Sequence, residues 1–153
     1  MSIDRARAHL KRHGLDERII EFTVSSATVA LAAQALGCEP EHIAKTLSFE
    51  KEGGALLILA AGTARIDNAK FKARFGMKAR MLPAEKVEPL IGHGVGGVCP
   101  FGVNDGVPVY LDESLRAYDV IYPAAGTPQS AVRLNVEELE RASEALGWVD
   151  VTK

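Results

Sequence analysis

The chain has only two cysteines. Cys38 and Cys99 lie too far apart for a CxxC motif or a zinc-ligand spacing, which excludes a disulfide scaffold and a zinc ribbon. Both are expected to be reduced thiols of a cytoplasmic protein. No uninterrupted apolar run approaches the roughly 20 residues that cross a bilayer, so no membrane partner is expected. The opening residues, Met1-Ser2-Ile3-Asp4-Arg5, carry no apolar core of the signal-peptide kind. An excess of basic charge is also missing. With 18 Lys and Arg against 20 Asp and Glu, a generally cationic nucleic-acid binder is disfavoured. No GxSxG, HExxH or Walker loop occurs, and neither a cofactor nor a metal is expected.

What remains is an ordinary globular composition, 47% hydrophobic and 25% charged over 153 residues. That length fits one domain, residues 1–153, with a sizeable core. The charges are unevenly placed. Arg65, Lys70, Lys72, Arg74, Lys78 and Arg80 face a single acid, Asp67, whereas Glu137, Glu138, Glu140 and Glu144 are answered only by Arg141. The basic run reads either as a solvated helix face or as a shallow site for a phosphate backbone, with Arg65, Lys70, Lys72 and Arg74 as its candidate contacts.

Apolar spacing predicts a helix over 3–13 capped by Gly14, and a strand over 19–24. Ser25 and Ser26 offer N-caps for a helix through Thr28–Leu36 that Gly37 ends. Strands are expected over 43–51 and 55–61, joined at Gly53-Gly54, the second apolar on both faces and therefore central. Asp67 caps a helix through Arg74, and Pro83 opens another to about Leu90. Residues 92–106 are too glycine-rich for regular structure. Strands near 107–111, 120–122 and 131–134 precede a helix opened by the Asn135/Glu138 capping box and ending near Gly147. The interleaved order predicts an α/β domain with a mixed, largely antiparallel central sheet flanked by helices.

Within the strand Ile43-Ala44-Lys45-Thr46-Leu47-Ser48-Phe49, Lys45 alternates onto the side of Ile43, Leu47 and Phe49. A cation among apolar side chains either reaches water at the strand's end or stands at a pocket wall ready for a carbonyl, phosphate or carboxylate. Gly92-His93-Gly94-Val95-Gly96-Gly97 spells GxGxxG, but a helix precedes it and Pro100 follows, the wrong context for a dinucleotide. Gly96-Gly97-Val98-Cys99-Pro100-Phe101-Gly102 reads instead as a glycine-lined loop that admits a ligand close to its backbone and offers amide donors. Cys99 with His93 as base would be a nucleophile pair, the basis of a small-molecule hydrolase reading. A partly buried thiol on a pocket wall is the alternative. His9 and His13, spaced i, i+4, lack a third metal ligand and read as surface histidines.

Three segments, Ala44-Lys45-Thr46-Leu47, Gly96 to Gly102 and Tyr122-Pro123-Ala124-Ala125-Gly126, resemble the signature regions of the YbaK/EbsC family. That family includes free-standing aminoacyl-tRNA deacylases and the editing domain of bacterial prolyl-tRNA synthetase. The resemblance runs in order from about Phe22 to the last helix and includes no synthetase catalytic domain, so it implies the free-standing form. It implies aminoacyl-tRNA as substrate, with a synthetase as a further partner. It also implies catalytic roles for Lys45 and Gly96 and a substrate pocket formed by Phe22, Thr46, Gly97, Val98, Cys99, Pro100, Phe101 and Gly126. In the family, hydrolysis relies on substrate hydroxyls more than on a protein nucleophile. Ala125-Gly126 and Ala131 stand where deacylases of cysteinyl-tRNA(Pro) carry Gly-Gly and Asp, which places the chain nearer the EbsC-like branch. The alternative is a non-catalytic module of the same fold that binds tRNA or a synthetase.

Overall fold

From Ala55 to Ala61 every side chain is apolar, so a strand there has no face it can show to water. In the computed structural model, which describes residues 2–25 and 28–153, this segment lies in the middle of a four-stranded sheet. Helix α1 (Ser2–Arg12) and strand β1 (Ile19–Glu21) come first, followed by α2 (Val29–Leu36), β2 (Ala44–Lys51) and β3 (Gly54–Ala61). Helices α3 (Asn68–Phe75) and α4 (Ala84–Ile91) precede β4 (Val109–Asp112), β5 (Ser130–Val132), α5 (Val136–Ser143) and β6 (Gly147–Val149). The sheet order is β2-β3-β4-β6, with β2 antiparallel to β3 and the other two pairings parallel. A separate antiparallel pair joins β1 to β5. The fold is thus a single α/β domain with a mixed sheet, and antiparallel pairing takes in most of the paired residues.

The predicted punctuation recurs in the caps. Asp67 accepts from Lys70 N–H at 3.1 Å, and Asn135 with Glu138 closes a capping box. Gly37 and Gly76 end their helices in the left-handed conformation. Four expectations are corrected. Thr28 is the N-cap of α2, accepting from Leu31 N–H at 3.1 Å; of the two serines foreseen for that role, Ser26 lies outside the described residues. The strand foreseen at 120–122 shrinks to single bridges, Ile43 with Tyr122 and Ile121 with Leu134. The last helix stops at Ser143, because Glu144 turns left-handed at φ 56° and frees the chain to enter β6. His9 is buried rather than on the surface.

The sheet divides the interior. On one face α3 sets Phe71 against Phe49, Leu56 and Ile58. The larger core on the other face takes Leu57 and Leu59 with Leu82, Val87, Phe101 and Leu139. His9 ties three elements together: its Nδ1 accepts from Gly102 N–H at 3.0 Å, and its Nε2 donates to the Ala142 carbonyl at 2.6 Å. Asp112, fully buried at the end of β4, accepts from Ser114 N–H, Val151 N–H and the Thr152 hydroxyl at 2.7–2.9 Å. It holds the C-terminal residues against the sheet. Asp112→Ala orphans these donors and is expected to cost about 3 kcal/mol or more, with a smaller loss for Asp112→Asn. Urea denaturation measures both, and a loss below about 1 kcal/mol for the alanine variant would contradict this role.

Candidate active site

A cavity of about 330 Å³ opens beside β2. Its walls come from Val29 and Ala32 of α2, Ala44, Thr46 and Ser48 of β2, and Leu82 and Val87 around the start of α4. Gly96 and Val98 of the glycine-rich loop, Tyr122 and Ala124, and Ser130 and Ala131 of β5 complete it. The even-numbered β2 residues face the larger core and the cavity, and the odd-numbered Leu47 and Phe49 face α3.

Lys45 stands at this wall. It keeps the odd-numbered phase expected of it, and its ammonium donates to the Ala64 carbonyl in the turn after β3. That bond explains how a cation is tolerated there, since a partly buried charge needs a partner. Desolvation lowers its pKa below the ordinary lysine value, and the neighbouring Arg65 cation lowers it further.

The loop opposite is rigid for reasons of backbone contact. A Cβ on Gly97 would lie 2.5 Å from the carbonyl of Gly126 and the nitrogen of Thr127, so two of the signature segments touch main chain to main chain. Gly102 fits in the same way against the Arg5 carbonyl, and Arg5 donates to the Gly92 carbonyl at 3.1 Å and to Asn104 Oδ1 at 2.9 Å. The Gly97 N–H is used within the loop, donating to the Gly94 carbonyl at 3.1 Å. Its neighbours Gly96 and Val98 line the cavity, and no described residue accepts from their N–H groups.

The cavity thus gathers Lys45, Thr46, Gly96 and Val98 from the residues nominated by sequence. Phe22 is half-buried and does not line it, its N–H donating to the Gln129 carbonyl at 2.9 Å, and Pro100 is buried within the loop. Gly97 and Gly126 join the walls without lining the space. Cys99 and Phe101 belong to the core at 0% exposure, which corrects the expectation of a thiol on the pocket wall. Cys99 Sγ does lie 3.5 Å from His93 Nε2, but that nitrogen donates to the Phe101 carbonyl at 2.6 Å and has no lone pair for the thiol. Burial pushes the thiol pKa up to about 12. A buried neutral thiol beside a protonated nitrogen is not an activated nucleophile, so the Cys99 hydrolase reading falls.

Of the cationic candidates, only Arg65 lies beside Lys45. Lys70, Lys72 and Arg74 ride on α3, which packs Phe71 on the sheet face of Leu47 and Phe49. Lys70 pairs with Asp150 at 3.0 Å, and Arg74 lies over the Phe75 and Tyr110 rings at 5.0 and 5.4 Å. Sequence reasoning missed the α2 wall, Leu82 and Ser130, whose only signal was apolar or small character.

One group of potential metal ligands occurs among the described residues, His9, His13 and Glu144. It does not suit a metal. The Gly102 N–H claims the Nδ1 lone pair of His9 and fixes the proton on Nε2, the nitrogen that faces Glu144.

Residues 23–142 match the aminoacyl-tRNA editing domain family. The uncharacterized protein YwhH of Bacillus subtilis (strain 168) is 44% identical over 154 residues, covering 100% of this chain and 98% of that one. The proline–tRNA ligase of Thermosipho melanesiensis is 28% identical over 136 residues, 88% of this chain but 24% of the ligase. A crystal structure described as a candidate trans-editing enzyme for prolyl-tRNA synthetase superposes with a TM-score of 0.88. It is 35% identical, covering 99% of this chain and 97% of that one. The chain belongs to the aminoacyl-tRNA editing domain family, of the YbaK type that its three signature segments resemble.

Two outcomes follow from this geometry. Gly97→Ala forces the two loops apart and is expected to cost roughly 1–3 kcal/mol in urea denaturation. Gly94→Ala, whose Cβ would meet only the end of the Glu88 side chain, is the nearly neutral control. Arg65→Gln removes a repulsive charge and raises the Lys45 pKa toward its ordinary value. An NMR titration of the lysine side chain measures this, and an unmoved midpoint would contradict the coupling.

Proposed function

We propose that this protein hydrolyses the ester that joins an amino acid to the terminal adenosine of mischarged tRNA, acting in trans. Family membership supplies the reaction class. The observation that carries the reading is Lys45, a partly desolvated lysine lining a cavity that Gly96 and Val98 also border. Cys99, buried beside a hydrogen-bonded His93, offers no activated thiol.

In this reading a water attacks the ester carbonyl, the carbon–oxygen bond to the ribose breaks, and the ribose oxygen leaves with a proton. Lys45 and the Gly96 and Val98 amides orient the ester and stabilise the negative charge that develops on its carbonyl oxygen. A ribose hydroxyl of the substrate positions the water, so no protein base is required. Arg65, beside Lys45, is the cation best placed to meet a phosphate of the acceptor end. Lys70, Lys72 and Arg74 on α3 are further candidates for contact with the tRNA backbone. Ala131, at the position where relatives acting on cysteinyl-tRNA(Pro) carry Asp, lies on the cavity wall. Their amino-acid choice is therefore not carried over to this chain.

Ala131 also motivates a second reading, a domain that binds aminoacyl-tRNA without turning it over. A deacylation panel beginning with alanyl-, cysteinyl-, seryl- and threonyl-tRNA separates the two. Hydrolysis of at least one is expected, and Lys45→Ala lowers its rate about 100-fold or more, with tRNA affinity little changed. A full panel left untouched would overturn the deacylase reading. Binding without turnover, indifferent to Lys45→Ala, would establish the other.

A further inference from the structure

Strand β2 leaves part of its outer edge open. Ala44 N–H donates to the Tyr122 carbonyl at 3.1 Å, the Ser48 carbonyl accepts from Leu82 N–H at 3.0 Å, and Glu50 N–H donates to the Arg80 carbonyl at 2.7 Å. The even-numbered residues of β2 therefore turn their backbone groups away from β3. Their partners across the ladder agree. Ala61 N–H, opposite Ala44, donates to Ser114 Oγ at 3.0 Å. Leu57 N–H, opposite Ser48, donates to the Pro108 carbonyl at 2.9 Å.

Thr46 falls in the same phase. Its N–H and C=O leave the edge between the Ile43–Tyr122 and Phe49–Met81 bridges, and no described residue meets them. Thr46 borders the cavity at this point, and its Oγ1 is buried without a partner among the described residues. A backbone donor and acceptor side by side at a cavity wall are matched by another amino acid in extended conformation, which offers the same pair reversed.

We propose that the aminoacyl group of the substrate binds as a single residue of β-structure opposite Thr46. Its ester carbonyl accepts from Thr46 N–H and its α-ammonium donates to the Thr46 carbonyl. The proposal deepens the deacylase reading and rests on it. Residues paired across strands share a face, so an L side chain falls on the Thr46 side, toward the cavity, and a D side chain is sent to the opposite face. The backbone contact is the same for every α-amino acid, which leaves selection among side chains to the small residues Ala44, Ala124, Ser130 and Ala131.

The test is amide hydrogen exchange of the full chain by NMR, with and without adenosine carrying alanine, cysteine, serine or threonine in amide linkage at its 3′ carbon. These four probes keep the carbonyl and ammonium but resist hydrolysis. At a hundred times Kd, exchange at Thr46 is expected to slow about 100-fold, with Ala44, already bonded to Tyr122, little changed. A probe that shifts the Gly96 and Val98 amides and leaves Thr46 exchange unaltered overturns the proposal while the deacylase reading stands. Failure of all four to bind at millimolar concentration also overturns it, and the deacylation panel then decides the deacylase reading separately.

Discussion

Between Ala55 and Ala61 no residue of β3 is more than 4% exposed, and the strand is hydrogen-bonded on both edges. Closure on two faces and two edges requires the rest of the chain to cover it twice. The covering differs from side to side: one helix and a tight aromatic group lie on one face, and loops, β5 and three helices lie on the other. Strand β2 pairs along the whole length of β3 and inherits its two-sidedness. Lys45 and Thr46 are adjacent in sequence, yet their side chains belong to different environments and meet only at the strand's margin. A cation and an outward-facing peptide group are thereby set side by side without either being placed in the apolar core.

The second determinant is main-chain contact between loops. Gly97 against Gly126 and Thr127, and Gly102 against Arg5, fix the cavity's far wall by main-chain contact. Such a wall has few side-chain rotamers to order when substrate arrives, which suits a mechanism based on orientation and charge stabilisation. It also explains why the thiol in the middle of the loop turns inward: the close backbone approach leaves Cys99 no route to the cavity.

Much of the fold was legible because its boundaries are chemical. The Asn135 capping box, Asp67, Gly37 and Gly76 act locally, and the doubly apolar strand could be nothing but central. The losses occurred where tertiary contact overrode local pattern. Strand β6 is three residues long, and Glu144 accepts a left-handed backbone that sequence alone assigns to glycine or asparagine. His9 sits on a polar-looking helix, yet is buried by Gly102 and Ala142 from distant parts of the chain. In the site, Lys45 was legible as a charge out of phase, and Gly96 through its loop. Within the basic run, the contacts of Lys70 with Asp150 and of Arg74 with Tyr110 were not legible, because those partners lie far along the sequence.

The open stretch of β2 between the Tyr122 and Met81 bridges has a consequence for solubility. Exposed strand edges invite other chains to add to them, and longer ones are a common route to aggregation. Here the exposed edge runs only from Ala44 to Ser48 and is stopped at both ends by bridged segments of the same chain. A foreign strand would need several consecutive pairings and finds room for about one. The fold can keep unpaired peptide groups on offer at its surface while denying them to anything as long as a polypeptide.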